Sequence, residues 1–460
     1  MYNLKVFEHQ TIRAGQELLF FKGGKVETLP LQEKYITALW KMYDEQARPF
    51  FTPTRGGIRF CEWVGVIRVL DLTLEILPKA DNKDNYLEEA EQSKWQSILV
   101  DMLRICRALD TPTASDAPLK LKSNSILDLY IERFIQEVNF LLHTGLIKRY
   151  KKIEGNSTAL KGKLLPQKHF TKNLVHQERF YVAKTSYDAD HLTHQILYKA
   201  IKALPGICNN QYLVSRCYQL LLHFPEVSDI KIDATLFDKL NLDRKSAHYR
   251  SALEIAKLIL LSLRPDISSG ASSSIAILFD MNRLWEEYIY RMLQKANDGS
   301  LKIYGQRSAS FWKHQHISRS LKPDIIIEKT GHRGTNEYIV LDTKWKNLHG
   351  QLRNVSMDDL RQMFAYHHYF DASKCYLIYP GEEYLQDGNF HRQSHFDRRE
   401  LGTKTCGVII SKAWKGETEK SCLNDDIGKQ ILRALKLDVS SPTGTPVHQS
   451  LSPTSGFQND

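Results

Sequence analysis

The chain lacks the features that mark secreted and membrane proteins. No stretch approaches the roughly 18–20 apolar residues needed to span a bilayer. The opening residues, MYNLKVFEH, lack the apolar core of a secretion signal. The seven cysteines contain no C-x-x-C pair, match no zinc spacing and are odd in number, which excludes a complete disulfide framework. A cytoplasmic protein with reduced thiols and no membrane contact is therefore expected.

The chain also lacks a phosphate-binding loop for nucleotide hydrolysis. Gly24-Lys25 is the nearest approach to G-x-x-x-x-G-K-[ST], but Leu19 occupies the position of the first glycine. We therefore do not expect this chain to hydrolyse nucleotides itself.

The chain has fewer acidic residues than basic ones. Lys and Arg number 63 against 53 Asp and Glu, for a net charge of +10. This surplus favours a polyanionic partner such as nucleic acid, although diffuse positive charge also serves solubility. An apolar fraction of 42% and a charged fraction of 25% are ordinary for soluble globular chains. At roughly 100–200 residues per domain, the length of 460 predicts about two to four domains.

Hydrophobic periodicity divides the chain into four predicted parts. Residues 1–115 contain short alternating runs punctuated by glycine, which predicts a β-rich domain. Residues 116–265 follow a helical period, and residues 266–438 alternate helices with strands, which indicates an α/β domain. The Ser/Thr/Pro-rich residues 439–460 are predicted to be disordered. The expected fold class is multidomain α+β.

Two acidic residues lie at the ends of neighbouring predicted strands, Pro323–Glu328 and Glu337–Trp345. Across the hairpin that joins these strands, Asp324 is expected to meet Asp342. Because side chains alternate with period two, Asp342 and Lys344 emerge on one face. Two carboxylates beside a lysine suit Mg²⁺, which prefers oxygen ligands and would acidify a bound water. A surface hairpin whose charges pair with one another would show the same residues.

Two predicted helices contain further polar candidates. In Phe279–Ile289, Glu286 borders the apolar stripe and is the candidate site carboxylate, whereas Glu287 is placed for ion pairing. In Met357–Phe370, Gln362 and Tyr366 lie one turn apart, where they could hold a phosphate or buttress the carboxylates. An ordinary polar helix edge is the alternative. The residues predicted to be buried on the second helix are Leu360, Met363, Phe364 and His367.

A basic run with an aromatic residue inside it, Lys148–Lys152, lies in the middle of the chain. Such a run contacts phosphates or forms a solvated edge, and the sequence favours neither.

At these residues the chain resembles a known family. The order Glu286, Pro323-Asp324, Asp342-Thr343-Lys344 and Gln362-x-x-x-Tyr366 resembles the PD-(D/E)xK nuclease superfamily in its QxxxY variant. The surrounding segments resemble McrC, the nuclease subunit of McrBC-type modification-dependent restriction systems. Three segments are similar to that family's FDMNxLFExY, VGxI…IxPK and GLxRxY…LRGKL motifs: Phe279–Tyr288, Val64–Lys79 and Gly145–Leu164. Residues beyond Pro380 match no such motif.

The resemblance implies a restriction-endonuclease-like domain that cleaves DNA phosphodiester bonds with Mg²⁺. Asp324, Asp342 and the backbone carbonyl of Thr343 would hold the metal. Lys344 and Glu286 would complete the catalytic set, supported by Gln362 and Tyr366.

The expected partners are DNA, as methylated duplex, and a separate AAA+ GTPase resembling McrB. Residues 1–115 would dock on this GTPase and stimulate it, with Arg55, Arg59 and Arg68 expected to be exposed. A DNA-binding role for the same domain is the alternative. For the whole chain, the alternatives are a stand-alone repair or junction nuclease and a non-catalytic activator of an NTPase ring.

Overall fold

The protein divides into two compact units in the computed structural model. The first consists of Met1–Tyr288 and Ala413–Leu423, and the second of Ile289–Lys412 and Asn424–Asp460. Each unit contains its own hydrophobic core. Among the described helices, none has the length and apolar character required to cross a bilayer. The structure describes residues 2–22, 25–44, 50–80, 88–106, 126–176, 178–208, 210–240, 242–265, 273–314, 317–330, 336–393, 398–416 and 422–437.

The tail at 439–460, predicted to be disordered, lies outside the described residues.

Strands dominate the amino-terminal part of the first unit, as the glycine-punctuated alternation predicts. The strands up to residue 280 are β1 (Tyr2–Phe7), β2 (Thr11–Arg13), β3 (Glu17–Lys22), β4 (Lys25–Pro30), β5 (Phe51–Thr54), β6 (Gly57–Phe60), β7 (Trp63–Val69), β8 (Leu72–Leu77), β9 (Arg149–Ser157), β10 (Lys163–Leu164), β11 (Phe180–Asp188), β12 (Leu263–Pro265) and β13 (Ser273–Asp280). A seven-stranded sheet has the order β12-β13-β7-β8-β1-β3-β4, and β2, β6 and β5 form a smaller one.

Strand β13 joins the amino-terminal sheet from far along the chain, a pairing that the sequence did not predict. It runs antiparallel to β7, with Leu278 opposite Gly65. Gly65 has φ +133°, and a Cβ there would lie 2.2 Å from the carbonyl oxygen of Ile277. Only glycine lets the two backbones approach this closely. The glycine of the Val64-Gly65-Val66 motif is therefore explained by strand pairing.

Helices account for most of the middle of the chain. In the first unit they are α1 (Glu33–Asp44), α2 (Glu89–Ile105), α3 (Ile126–Thr144), α4 (Pro166–Lys172), α5 (Leu192–Ile207), α6 (Gln211–His223), α7 (Ala234–Asp238) and α8 (Arg250–Ser262), with a 3-10 turn at Ala247–Tyr249. Helix α9 (Met281–Ala296) continues from the first unit into the second.

The middle region, predicted to be helical, also contains a three-stranded antiparallel sheet of β9, β10 and β11. Strand β9, with the sequence RYKKIEGNS, is mostly exposed and polar on both faces. It therefore lacks the apolar alternation by which a strand is detected. Gly162, from the second half of the Gly145–Leu164 motif, has φ +103°, and a Cβ there would lie 2.4 Å from the carbonyl oxygen of Ala183. This glycine permits β10 to pair with β11.

The expected exposure of Arg68 was also wrong. Arg55 and Arg59 are exposed, whereas only 6% of Arg68 is exposed. Arg68 lies on β7, which is hydrogen-bonded on both sides by β8 and β13 and is buried from Val64 to Val69. A strand in the middle of a covered sheet offers no solvent face for a charged side chain.

The second unit is a six-stranded mixed sheet with a separate hairpin. Its strands are β14 (Leu301–Gly305), β15 (Ala309–His314), β16 (Ile317–Leu321), β17 (Ile325–Thr330), β18 (Asn336–Thr343), β19 (Lys374–Pro380), β20 (Tyr384–Gln393) and β21 (Arg398–Ser411). Its remaining helices are a 3-10 turn (Leu352–Asn354), α10 (Met357–Tyr369) and α11 (Ile427–Ala434). The sheet order is β14-β17-β18-β19-β21-β20, and β15 forms a separate two-stranded sheet with β16. Short strands β22 (Trp414–Lys415) and β23 (Cys422–Leu423) belong to the first unit.

Strand β18 is antiparallel to β17 and parallel to β19, and α10 makes the crossover between β18 and β19. The core strands of such a sheet are buried, which matches the apolar runs Ile325–Ile327 and Ile339–Leu341.

Several boundaries of the predicted strands and helices differ from those observed. Strand β17 begins after Pro323, and β18 ends at Thr343 rather than at Trp345. Helix α9 begins at Met281, because Phe279 and Asp280 still pair in β13. The Asp280 carboxylate then accepts the backbone N–H of Asn282 at 2.9 Å, as an N-terminal capping residue does.

Candidate active site

The ends of β17 and β18 bring Asp324 and Asp342 together. Ile325 pairs with Leu341 in the antiparallel register, so the preceding Asp324 lies opposite Asp342. This is the juxtaposition that the two-strand pattern predicts. Both side chains lie at the same edge of the sheet, where β18 ends and the chain leaves towards α10.

Residue Thr343 holds the Asp324 carboxylate in place. Its backbone N–H and its hydroxyl both donate to Asp324 Oδ2, at 2.7 Å and 2.9 Å. Two donors on one oxygen restrict rotation of the carboxylate and favour its charged form.

The Asp342 carboxylate is buried beside Lys344. Only 1% of Asp342 is exposed, against 27% of the Lys344 side chain. The Lys344 ammonium contacts Asp342 Oδ2 as an ion pair. Among the described residues, no hydrogen bond of normal geometry reaches this oxygen. Asp342 Oδ2 is therefore a buried acceptor with capacity for a further cation or donor.

Electrostatics favour an additional positive charge at this position. Burial raises the pKa of Asp342 to about 7, and the neighbouring Asp324 adds to the rise, while Lys344 opposes it. Burial also raises the pKa of Asp324, against the hydrogen bonds from Thr343. Burial alone would lower the pKa of Lys344, but Asp342, Asp324 and Asp359 outweigh it and raise that pKa. Two crowded carboxylates disfavour double ionisation unless a cation joins them.

Helix α10 contributes two side chains that support the Asp324–Asp342 pair. Gln362 Nε2 donates to Asp342 Oδ1 at 3.4 Å and to the Tyr366 hydroxyl at 2.7 Å. The Tyr366 hydroxyl in turn donates to the carbonyl oxygen of Lys322, two residues before Asp324. Gln362 and Tyr366 thus link the two strand ends. Of the roles predicted for them, this geometry corresponds to supporting the carboxylates.

The burial of α10 differs from the prediction at two residues, and one of them, Leu360, is only half-buried. Met363 and His367 are buried as expected, and His367 Nε2 contacts the carbonyl oxygen of Thr405 at 2.8 Å. Phe364 was predicted to be buried but is 36% exposed, whereas Tyr366 is buried. The sheet contacts a narrower stripe of the helix than its apolar residues alone suggest.

The site predicted from the sequence left out a third carboxylate, Asp359, and its partner. Asp359 lies one turn before Gln362 on α10 and accepts a hydrogen bond from the Tyr379 hydroxyl at 3.1 Å. Asp359 acts electrostatically on both Asp342 and Lys344. Its spacing from Gln362 was a usable signal, because residues three apart share a helix face. Tyr379 offered no signal, because its position depends on the parallel pairing of β19 with β18.

The residues present fit Mg²⁺ in an open site. Among the described residues, no group of three or more His, Cys, Asp or Glu side chains is arranged to hold a metal. Magnesium commonly uses one or two carboxylates and completes its octahedron with waters and substrate phosphates. Asp324 and Asp342, with the buried Oδ2 of the latter, meet that requirement.

Two predicted members of the site stay predictions. Glu286 lies on the part of α9 that belongs to the first unit, with a half-buried side chain. For Thr343, the observed contacts involve its N–H and hydroxyl, and the proposed ligand is its backbone carbonyl.

A family profile described as "McrBC 5-methylcytosine restriction system component" matches residues 58–380. The chain belongs to the McrBC family. The match includes β17, β18 and α10, and so all the residues of the Asp324–Asp342 site. No curated protein matches the chain.

The fold of this McrBC family chain is similar to that of solved structures from Thermococcus gammatolerans. One is a chain from a tetradecameric assembly of McrB AAA+ hexamers with bound McrC, with a TM-score of 0.60 at 18% identity, covering 95% of this chain and 99% of that one. Another is from the McrBC complex, with a TM-score of 0.46 at 20% identity, covering 64% and 88%. The first likeness shows that the McrBC family chain has the same mixed α/β fold over nearly its whole length.

Proposed function

We propose that this chain is the Mg²⁺-dependent DNA endonuclease subunit of a GTP-dependent, modification-dependent restriction system. Its second unit would be the PD-(D/E)xK nuclease domain. The observation that carries the proposal is the convergence of Asp324, Asp342 and Lys344 at the end of two paired strands, with Gln362 and Tyr366 behind them. A surface hairpin with self-paired charges would leave its carboxylates in solvent, whereas only 1% of Asp342 is exposed.

Each residue of the site has a role in phosphodiester hydrolysis. When bound, Mg²⁺ would supply an acidified water and positive charge against the scissile phosphate. Asp324 and Asp342 would hold the metal, and Thr343 would keep the Asp324 carboxylate oriented. Lys344, whose raised pKa keeps it protonated, would orient the attacking water and stabilise negative charge in the transition state.

We further propose an AAA+ GTPase partner and a cytoplasmic location. The structural neighbour in the Thermococcus gammatolerans assembly includes McrB AAA+ hexamers with bound McrC. This chain contains no nucleotide-binding loop of its own, so GTP hydrolysis would belong to the partner. The strand-rich amino-terminal region would dock on that partner and stimulate it. Methylated duplex would be the substrate, in keeping with the family description.

Substitution of the metal ligands tests the nuclease assignment. We expect Asp342→Asn and Asp324→Asn to abolish Mg²⁺-dependent cleavage of methylated plasmid in the presence of the GTPase partner. Both variants should fold, because removing one of two crowded carboxylates relieves repulsion. Plasmid cleavage is followed on gels, and folding by circular dichroism.

The matched control is Glu328→Gln on the same strand as the site. Glu328 is also a buried carboxylate beside a lysine, since Lys302 Nζ lies 3.4 Å away, but it belongs to the β14–β17 pairing. Its substitution should leave Mg²⁺-dependent cleavage intact, because its hydrogen-bond partners Lys302, Tyr304 and Asn336 are not members of the site. Full cleavage by Asp342→Asn would rule out the assignment.

A further inference from the structure

A hairpin of exposed aromatic and basic residues immediately precedes Asp324. It consists of β15 and β16, and we name it the aromatic hairpin. Its strands pair with Trp312 opposite Arg319. Phe311 is 55% exposed, Trp312 52% and Ile317 53%. Large apolar side chains gain free energy by leaving water, and a cluster of them exposed on one element marks an interaction surface.

All charged residues in the stretch of sequence that contains this hairpin are positive. No Asp or Glu occurs between Asp298 and Asp324. The same segment contains Lys302, Arg307, Lys313, Arg319 and Lys322. Arg319 and Lys313 are exposed on the hairpin itself. A segment with only cationic charge and exposed aromatic rings is complementary to nucleic acid, whose backbone is anionic and whose bases offer apolar faces.

Hydrogen bonds and one aromatic contact connect the aromatic hairpin and its flanking residues to the candidate active site. Beside it, the backbone N–H of Gln306 donates to the carbonyl oxygen of Asp324 at 2.8 Å, and Lys322 Nζ donates to Gln306 Oε1 at 2.8 Å. The ring of Phe311 packs edge-on against Tyr369 of α10, with centroids 5.7 Å apart. The Tyr369 hydroxyl donates to the carbonyl oxygen of Ser310 at 2.5 Å. Helix α10 therefore holds both the hairpin and Gln362.

We propose that the aromatic hairpin is the DNA-contacting element of the nuclease unit. Trp312 would pack against bases or deoxyribose, and Lys313 and Arg319 would bind phosphates on either side of the scissile bond. This proposal rests on the proposed function. The carboxylates of Asp324 and Asp342 repel a phosphodiester, so cationic groups beside them are needed to bring the backbone into reach. DNA is favoured over a protein partner because the hairpin is continuous with the catalytic residues and the segment contains no acidic group.

The experiment measures DNA binding by the full chain without catalysis. Fluorescein-labelled duplex is titrated in EDTA, and anisotropy is followed over a range of NaCl concentrations. Trp312→Ala should weaken binding about tenfold, the loss expected for one stacking contact. Lys313→Ala with Arg319→Ala should reduce the slope of log affinity against log salt by about 2.

Matched controls lie on the first unit. Tyr218 on α6 is 55% exposed, close to the 52% of Trp312, and Lys239 and Lys245 are exposed lysines. Tyr218→Ala and the pair Lys239→Ala with Lys245→Ala should leave affinity and salt slope close to those of the unmodified protein. Trp312→Phe keeps an aromatic ring and should retain most of the affinity, which separates loss of stacking from misfolding.

The outcomes separate this proposal from the nuclease proposal. DNA binding that depends on the hairpin, without metal-dependent cleavage, would support the hairpin proposal and contradict the nuclease proposal. Cleavage by the unmodified protein, with DNA affinity unchanged in the hairpin variants, would overturn the hairpin proposal alone. Failure of the full chain to bind duplex would overturn it as well. So would variants that bind duplex normally but lose the GTPase partner, because the hairpin would then be a protein interface.

Discussion

At the residue scale, the candidate site depends on how each carboxylate is held. Thr343 orients Asp324, and Lys344 with Gln362 orients Asp342. Asp359, held by Tyr379, adds a third carboxylate that acts electrostatically on Asp342 and on Lys344. Burial and the neighbouring Asp359 raise the pKa of Tyr379, so its hydroxyl keeps its proton and remains a donor.

We predict that Tyr379 acts as a positioning residue through Asp359. Tyr379→Phe removes only the hydroxyl from a buried ring, so Asp359 can turn away from the site while the core stays packed. Loss of such an outer-shell hydrogen bond costs about 10- to 100-fold in metal affinity or activity. The Mg²⁺ concentration for half-maximal cleavage should therefore rise about 10-fold. Asp359→Asn should act similarly, and the double variant should be no worse than either single one.

Additive losses would show that the two residues act separately. A Tyr379→Phe variant with an unchanged Mg²⁺ dependence but a lower thermal stability would assign the hydroxyl a structural role alone.

At the scale of elements, a buried histidine joins α5 to the segments around it. His194 is fully buried, with Nδ1 2.8 Å from the carbonyl oxygen of Ala189 and Nε2 3.0 Å from the Tyr249 hydroxyl. The Tyr249 hydroxyl accepts the backbone N–H of Ile147. We assign the proton to Nδ1, because a carbonyl oxygen can only accept. In the neutral imidazole, Nε2 can then accept a hydrogen bond from the Tyr249 hydroxyl, and burial lowers the pKa of His194 to about 4.

We predict that this network makes the first unit sensitive to acid. A group whose pKa is lower in the folded state than its usual 6.5 contributes stability above pH 6.5 and loses it as the pH falls towards 4. At 1.36 kcal/mol per pKa unit, the full contribution is about 3 kcal/mol. His194→Gln should lower the free energy of unfolding at neutral pH and flatten its dependence between these values, as measured by urea titrations at several pH values.

The exposed His223 on α6 provides the control. His223→Gln should leave the pH dependence of stability unchanged. If the free energy of unfolding falls equally steeply with decreasing pH in His194→Gln and in the unmodified protein, the network is not the cause of the acid sensitivity.

At the scale of the whole molecule, the Asp324–Asp342 site and the amino-terminal sheet belong to different compact units. The amino-terminal sheet includes β13, which comes from residues 273–280 and covers the edge of β7. A fragment of residues 1–115 would expose that buried edge, and exposed strand edges promote aggregation. Docking and DNA binding by the amino-terminal region are therefore best separated in the full chain.

We predict that nuclease and GTPase-stimulating activities separate by substitution. Lys344→Ala should reduce cleavage by about 100-fold or more, the loss typical of removing transition-state charge stabilisation. The same variant should stimulate GTP hydrolysis by the AAA+ partner as well as the unmodified protein does, because the changed residue lies in the other unit. Phosphate release measures the GTPase. Parallel loss of both activities would mean that the site also controls docking.

The sequence by itself determined the local features of this protein. Alternation with glycine predicted the strands before residue 80, and spacing predicted that Asp324, Asp342 and Lys344 converge. These inferences succeeded because period-two side chains and a two-strand hairpin are set by neighbours along the chain. The residues that resemble McrC also predicted the family, which the profile match over residues 58–380 confirmed.

Only the tertiary structure decided the long-range features. The burial of Arg68 and the need for Gly65 both follow from β13, about 200 residues away in sequence, pairing with β7. Tyr379 reaches Asp359 because β19 lies parallel to β18. The exposed strand β9 lacks an apolar face, so no period reveals it. Local periodicity records which residues prefer burial, but which distant strand covers them depends on the packing of the whole chain.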